Sequence, residues 1–169
     1  MEGRKPKHCI EGCSRLKFTS LPANRPSAVD AAFWAQATAT GEICGDGTTG
    51  HIEISGQGLI PLGVYTVFFT TDRGPIPAAP TGADYTSDGF DPNRLVVNGN
   101  GILNYYIAPL NFNPFSGIPV TGGIATIQGV TINFHSDRST NGLSPGTNNV
   151  NVFDQLLSPF CYPHREEDN

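Results

Sequence analysis

A chain of 169 residues can bury the core of one domain, and its 15% of charged residues compares with roughly 25% in ordinary soluble domains. Thirty-four glycines and prolines and few helix formers exclude a helical bundle and favour short strands joined by turns. A net charge of −5 argues against a chain that coats nucleic acid, and no stretch approaches the ~18 uninterrupted apolar residues of a membrane-spanning helix.

Leu16 and Phe18 alternate with Arg15, Lys17 and Thr19, a period of two that predicts one half-buried strand in an otherwise basic arm. Pro26 and Asp30 break the linker behind it. Residues 32–43 and 49–58 are expected as the next two strands. In 63–71 both alternating sets are apolar (Val64 and Phe68; Tyr65, Val67 and Phe69), the pattern of a central strand covered on both faces. Residues 72–93, with four prolines and four aspartates, read as a long loop. Two strand-like runs flank Asn98-Gly99-Asn100-Gly101, residues that tolerate positive φ, so a hairpin is expected over 94–109. Within 122–136, Val130, Ile132 and Phe134 alternate with polar residues, and Gly129 marks a bulge between two half-strands. Residues 148–157 supply the last strand. The fold class expected is all-β, a jelly-roll-like β-sandwich of about eight strands. Its parts are a basic arm and linker over 1–27, one sandwich domain over 28–163, and an acidic tail over 164–169.

Charge is unevenly distributed along this plan. Residues 1–25 hold six basic and two acidic groups, residues 26–153 three and nine, and residues 154–169 one and four. No apolar stretch follows the basic N-terminal residues, so a secretory signal is not expected. Between Arg94 and Asp137 lie 42 residues without Asp, Glu, Lys or Arg. Charge depletion with retained aromatics is a feature of interface cores, which makes Tyr105, Tyr106, Phe112, Phe115, Thr131 and Asn133 interface candidates. The alternative is a Thr/Asn-rich solvated surface.

An arm with one strand-like stretch can add itself to a neighbour's sheet, main-chain hydrogen bonds giving affinity and Leu16 and Phe18 giving register. Its positive charge against an acidic body favours head-to-tail contact, which generates filaments where it does not close. The four cysteines, Cys9, Cys13, Cys44 and Cys161, are expected to bridge arm and body of different subunits. Intrachain disulfides, free thiols, and a zinc site from His8, Cys9, Cys13, Cys161 and His164 are the alternatives.

Catalytic constellations are thin. His51 and Glu53, and likewise His135 and Asp137, stand two apart on a strand and so share a face. Together the pairs have ligand chemistry for a divalent metal, or acid and base, but the same residues occur on any solvated sheet. No nucleophile elbow, phosphate loop or dinucleotide fingerprint is present. No enzyme activity, cofactor or nucleic-acid partner is therefore expected.

A β-sandwich with cysteines on an N-terminal arm and others by the first and last strands resembles the jelly-roll subunits of bacterial endospore appendages. Those subunits stack by strand addition and lock through arm disulfides. This chain is longer and has a Cys-x-x-x-Cys pair where adjacent cysteines are more typical. The resemblance implies a self-assembling subunit of an extracellular fibre, appendage or coat whose partner is itself. A surface or secreted sandwich that binds a glycan or metal through His51, Glu53, His135 and the 72–93 loop is the second expectation. A small jelly-roll capsid protein is the third.

Overall fold

The computed structural model describes residues 9–10, 12–79, 93–138 and 146–162. Alternation of apolar and polar side chains builds two facing antiparallel sheets. The five-stranded sheet runs in the order β1 (Cys9–Ile10), β2 (Cys13–Lys17), β4 (Thr38–Asp46), β5 (Thr49–Gln57), β9 (Leu103–Leu110). The second sheet runs β3 (Thr19–Ser20), β13 (Val152–Pro159), β12 (Ile127–His135), β6 (Val64–Thr71), β7 (Gly74–Pro77), with β8 (Leu95–Val96) also on β6. A two-stranded ribbon, β10 (Ile118–Val120) with β11 (Gly123–Ala125), stands apart from both.

The core lies between the two large sheets. Ala39, Ile43, Ile52 and Ile54 project into it from one side, and Tyr65, Val67, Phe69, Val130, Ile132 and Leu156 from the other. On β5 the inward Ile52 and Ile54 alternate with half-buried His51 and exposed Glu53 and Ser55, the one-face-buried pattern of an antiparallel sheet. On β6 the pattern is different: six consecutive residues, Val64–Phe69, are all buried. Part of the cover on its outer face comes from the chain beyond β7. There the Thr66 hydroxyl donates to the Asn93 carbonyl at 2.8 Å, and the Asn93 side chain accepts from the Ala79 N–H at 3.1 Å. The double-sided burial expected for 63–71 is therefore observed. Gly129 also stands where the ladder slips, between Ile127 and Gly129 against β6. A Cβ there would meet the Ser158 carbonyl at 2.8 Å, so the position has no room for a side chain.

Other expectations are corrected. The described residues hold thirteen strands rather than about eight, because pairs and triplets such as β1, β3, β8, β10 and β11 are too short to show any period. Residues 32–43 are not one strand. Ala31–Ala35 form a helical turn, α1, started by Asp30, whose carboxylate accepts from the N–H groups of Ala32 and Phe33 at 3.0 and 3.1 Å. The expected hairpin over 94–109 is a crossover: β8 pairs with β6 and β9 with β5, so the Asn98–Gly101 turn carries the chain from one sheet to the other. The turn chemistry itself holds, since the Asn98 side chain accepts from Asn100 and Ile102 N–H and Gly101 takes φ +74°.

The strand of the arm belongs to its own sandwich. β2 pairs with β4 from Cys13↔Cys44 to Lys17↔Thr40, and β3 pairs with β13 at Thr19↔Leu157. Between them Phe18 donates its N–H to the Ala39 carbonyl at 3.1 Å, while Lys17 N–H reaches the Ser158 hydroxyl at 3.0 Å. Leu16 and Phe18 thereby enter the core, 2% and 5% exposed. Burial of two large apolar side chains within the chain explains why this segment is not held out for a neighbour. Residues 1–8, with His8, the tail 164–169, with His164, and residues 80–92 of the long loop lie outside the described residues.

Candidate functional site

The outer face of the five-stranded sheet presents two cross-strand rows. In one, Arg15 stands opposite Glu42, Glu42 opposite Glu53, and Glu53 opposite Tyr106. In the other, Cys13 stands opposite Cys44 and Cys44 opposite His51. Cys13 and Cys44 are bonded to one another within the chain, not between subunits. Cys161 is also in a disulfide, and Ser14, whose hydroxyl accepts from the Cys161 N–H at 3.0 Å, is the register partner of Cys9. Carboxylate oxygen Oε1 of Glu42 lies 3.2 Å from Cys44 Sγ, and the two sulfurs and the carboxylate fall within 4.8 Å of one another. Because the sulfurs are spent on each other, this group offers a metal one carboxylate and no thiolate.

His135 is on the other sheet. It projects from the face of β12 turned away from the core, where it is 1% exposed, so it does not meet His51 and Glu53. Its Nε2 lies 2.7 Å from Thr66 Oγ1. The Thr66 hydroxyl has a single proton and gives it to the Asn93 carbonyl, so the proton on the contact with His135 belongs to Nε2. This is a buried histidine held through Nε2 to Thr66, and with the proton on that nitrogen it cannot act as a base toward Thr66. Asp137 follows in the exposed turn beyond β12. The expected metal or acid–base constellation is thus divided between two sheets and between a strand and a turn.

Most of the interface candidates are also inside the chain. Tyr105 faces the core, where burial pushes its hydroxyl well above the ordinary phenol range. Thr131 and Asn133 are each 3% exposed, on the covered outer face of β12. Phe112 packs edge-on against Phe69 at 5.9 Å, and Phe115 stacks on Phe160 at 5.3 Å with Tyr162 edge-on beside it. Over β12 the gap in charge reflects a strand covered on both faces, where an ion would have to be desolvated.

Asn133 also marks a polar row that sequence reasoning did not identify. Across the covered face Thr66, Asn133 and Asp154 are register partners, and Asn133 Nδ2 donates to Asp154 Oδ1 at 2.8 Å. The Asn133 carbonyl oxygen is buried without a hydrogen-bond partner. Burial raises the carboxyl of Asp154 above its ordinary value. A carboxyl raised on folding binds more protons folded than unfolded, so its stabilising share is complete below the ordinary carboxylate range and is lost as pH rises through the raised value. The variant Asp154→Asn, which keeps an acceptor for Asn133, is expected to melt above the parent at pH 7, the gain shrinking as pH falls through the carboxylate range. Differential scanning calorimetry from pH 3 to pH 7 checks it; a lower melting temperature at pH 7 is the contrary result.

Among the described residues, the long strand left open along one side is β9. It is the terminal strand of its sheet, eight residues long, with buried Leu103 and Tyr105 alternating with exposed Asn104 and Tyr106. Among the described residues no backbone or side-chain hydrogen bond reaches it from the side away from β5. The strand has no Asp, Glu, Lys or Arg, and Tyr106 is 67% exposed. The described edges elsewhere are short or blunted: β1, β3 and β8 have two residues each, and β7 has four, of which Pro75 and Pro77 cannot donate. No helix among the described residues is long and apolar enough to cross a membrane. In comparison with known proteins, the chain matches no family model, no curated protein and no solved structure.

Proposed function

We propose that the chain is a structural subunit that assembles with itself into an extracellular or surface fibre or coat, and that β9 is the edge at which copies join. The observation that carries this reading is the eight-residue, charge-free edge along whose far side no hydrogen bond is made among the described residues. Such an edge is a row of N–H and C=O groups ready to template another strand, and soluble monomers normally blunt it with lysine, proline or a bulge. Pro109 and the register slip beyond Ile107 blunt only the end of β9 and leave Leu103–Ile107 available. The disulfide between Cys13 and Cys44 fits an oxidising compartment. Since β2 fills its own sheet, the joining contact is assigned to β9 and not to the arm. A ligand-binding function has less behind it, because His51 and Glu53 lie on one sheet and His135 on the other.

The test is one substitution on the exposed side of the strand. Tyr106→Lys is expected to abolish association, read by light scattering and negative-stain microscopy at matched concentration, while changing monomer stability by no more than about 0.5 kcal/mol. A wild-type protein that stays monomeric at high concentration, or a lysine variant that assembles as well as the parent, would remove the basis for this function.

A further inference from the structure

We infer that β9 pairs with β9 of a second copy, antiparallel and about a two-fold axis near Tyr105 and Tyr106, so that two five-stranded sheets join into one of ten. The inference rests on the assignment of β9 as the assembly edge and specifies its partner.

Pairing of identical chains through strands uses either one edge twice or two different edges. A heterologous contact would need a second edge able to match the five residues Leu103–Ile107. The described alternatives offer two residues at β1, β3 and β8, three at β10 and β11, and four at β7, where Pro75 and Pro77 lack donors. Among the described strands, only another copy of β9 supplies the length.

Charge points the same way. In a two-fold antiparallel pairing the residue on the axis faces its own copy, and the others face the residue equally far on its opposite side. A charge at or next to the axis would therefore stand close to its own like charge. The long inner strands of this sheet and β2 all carry charge: Arg15 and Lys17 on β2, Glu42 and Asp46 on β4, Glu53 on β5. β9 carries none. The sheet thus places its one uncharged long strand at the position where self-pairing would penalise charge. An axis centred on Tyr105 or on Tyr106 also keeps the two faces in phase, core-facing Leu103, Tyr105 and Ile107 meeting core-facing residues, and exposed Asn104 and Tyr106 meeting exposed ones. A two-fold contact closes on itself, so its product is a dimer, and growth into a fibre would use a further surface.

The experiment places a thiol beside the axis. Among the described residues no cysteine is free, so Tyr106→Cys introduces a new thiol open to a short bis-maleimide of about 8 Å, the reach of a direct or diagonal cross-strand pair. Asn104→Cys repeats the measurement one exposed position away, and Thr40→Cys, exposed on inner strand β4, is the control. With disulfides kept intact, denaturing gels are expected to show a covalent dimer and nothing larger for position 106 or 104, in at least about tenfold the yield of the control. An assembled wild type with neither variant cross-linking above the control overturns the two-fold arrangement and leaves the assembly edge standing. A monomeric wild type by light scattering overturns both.

Discussion

Trp34→Ala is expected to lower the unfolding free energy by about 3–5 kcal/mol, the range for deleting a fully buried indole. Trp34 is completely buried, and its ring meets Phe134 edge-on at 6.2 Å. It also joins three elements through polar contacts. Its Nε1–H donates to the Leu21 carbonyl at 3.1 Å, tying α1 to the segment after β3, and its own carbonyl accepts from Gln155 Nε2 at 3.2 Å. Gln155 in turn accepts from the Tyr65 hydroxyl at 2.5 Å, and that hydroxyl accepts from the Ile60 N–H. Burial holds the Tyr65 hydroxyl far above the ordinary phenol range, so it remains a donor across all accessible pH. Removing the indole therefore leaves a cavity and takes from the Leu21 carbonyl one of two donors, the other being the Asn24 N–H at 3.1 Å. Trp34→Phe, which keeps most of the volume, should lose roughly half as much. Because Trp34 is the sole tryptophan, unfolding is followed by circular dichroism in denaturant. A loss below about 1 kcal/mol would show that the neighbouring elements collapse into the space.

The double variant Cys13→Ala, Cys44→Ala is expected to lose about 3–4 kcal/mol, the loop-closure value for a cross-link between residues 31 apart. The bond clamps the start of β2 to β4, and the strand behind it brings Leu16 and Phe18 into the core. Without it the ladder can fray from Cys13 inward. Denaturant midpoints of the oxidised parent and the variant, with unchanged slope, give the difference. A change under about 1 kcal/mol would mean that strand pairing and apolar burial secure β2 by themselves. On a non-reducing gel the Cys13–Cys44 bond itself should shift the mobility of a single chain without linking chains, which separates it from a bridge between subunits.

These effects depend on features that were unequally legible in the sequence. β6 could be read because a strand buried on both faces leaves apolar residues in both alternating sets, and Gly129 because a glycine inside a strand is conspicuous. The Asn98–Gly101 turn was recognisable as a turn, but its chemistry is local and does not specify which sheets its two flanks join. Asp30 looked like a breaker, whereas its carboxylate caps a helical turn; both roles use the same preference for local backbone bonds. The covered outer face of β12 was beyond reach, since Thr131, Asn133 and His135 alternate like solvated residues and only the chain folded over them makes them interior. For the candidate site, Tyr106 was named from sequence, while its setting on a long open edge depends on strand order, which no local pattern encodes.

The crossing of the N-terminal segment from β4 to β13 also bears on the order in which the protein can be made. Thr19 takes its partner Leu157 from 138 positions downstream, so this join waits until nearly the whole chain has been synthesised. At ~5–20 residues per second that interval is roughly 7–28 s. Cys44 emerges within a few seconds of Cys13, and oxidation at that stage would fasten β2 to its first neighbour while the second does not yet exist. Phe18 then spends the interval half sheltered, and the latest-made strand completes the shelter. Formed at that stage, the bond would act as a temporal latch, limiting how much of an apolar segment stands open to aggregation during the wait.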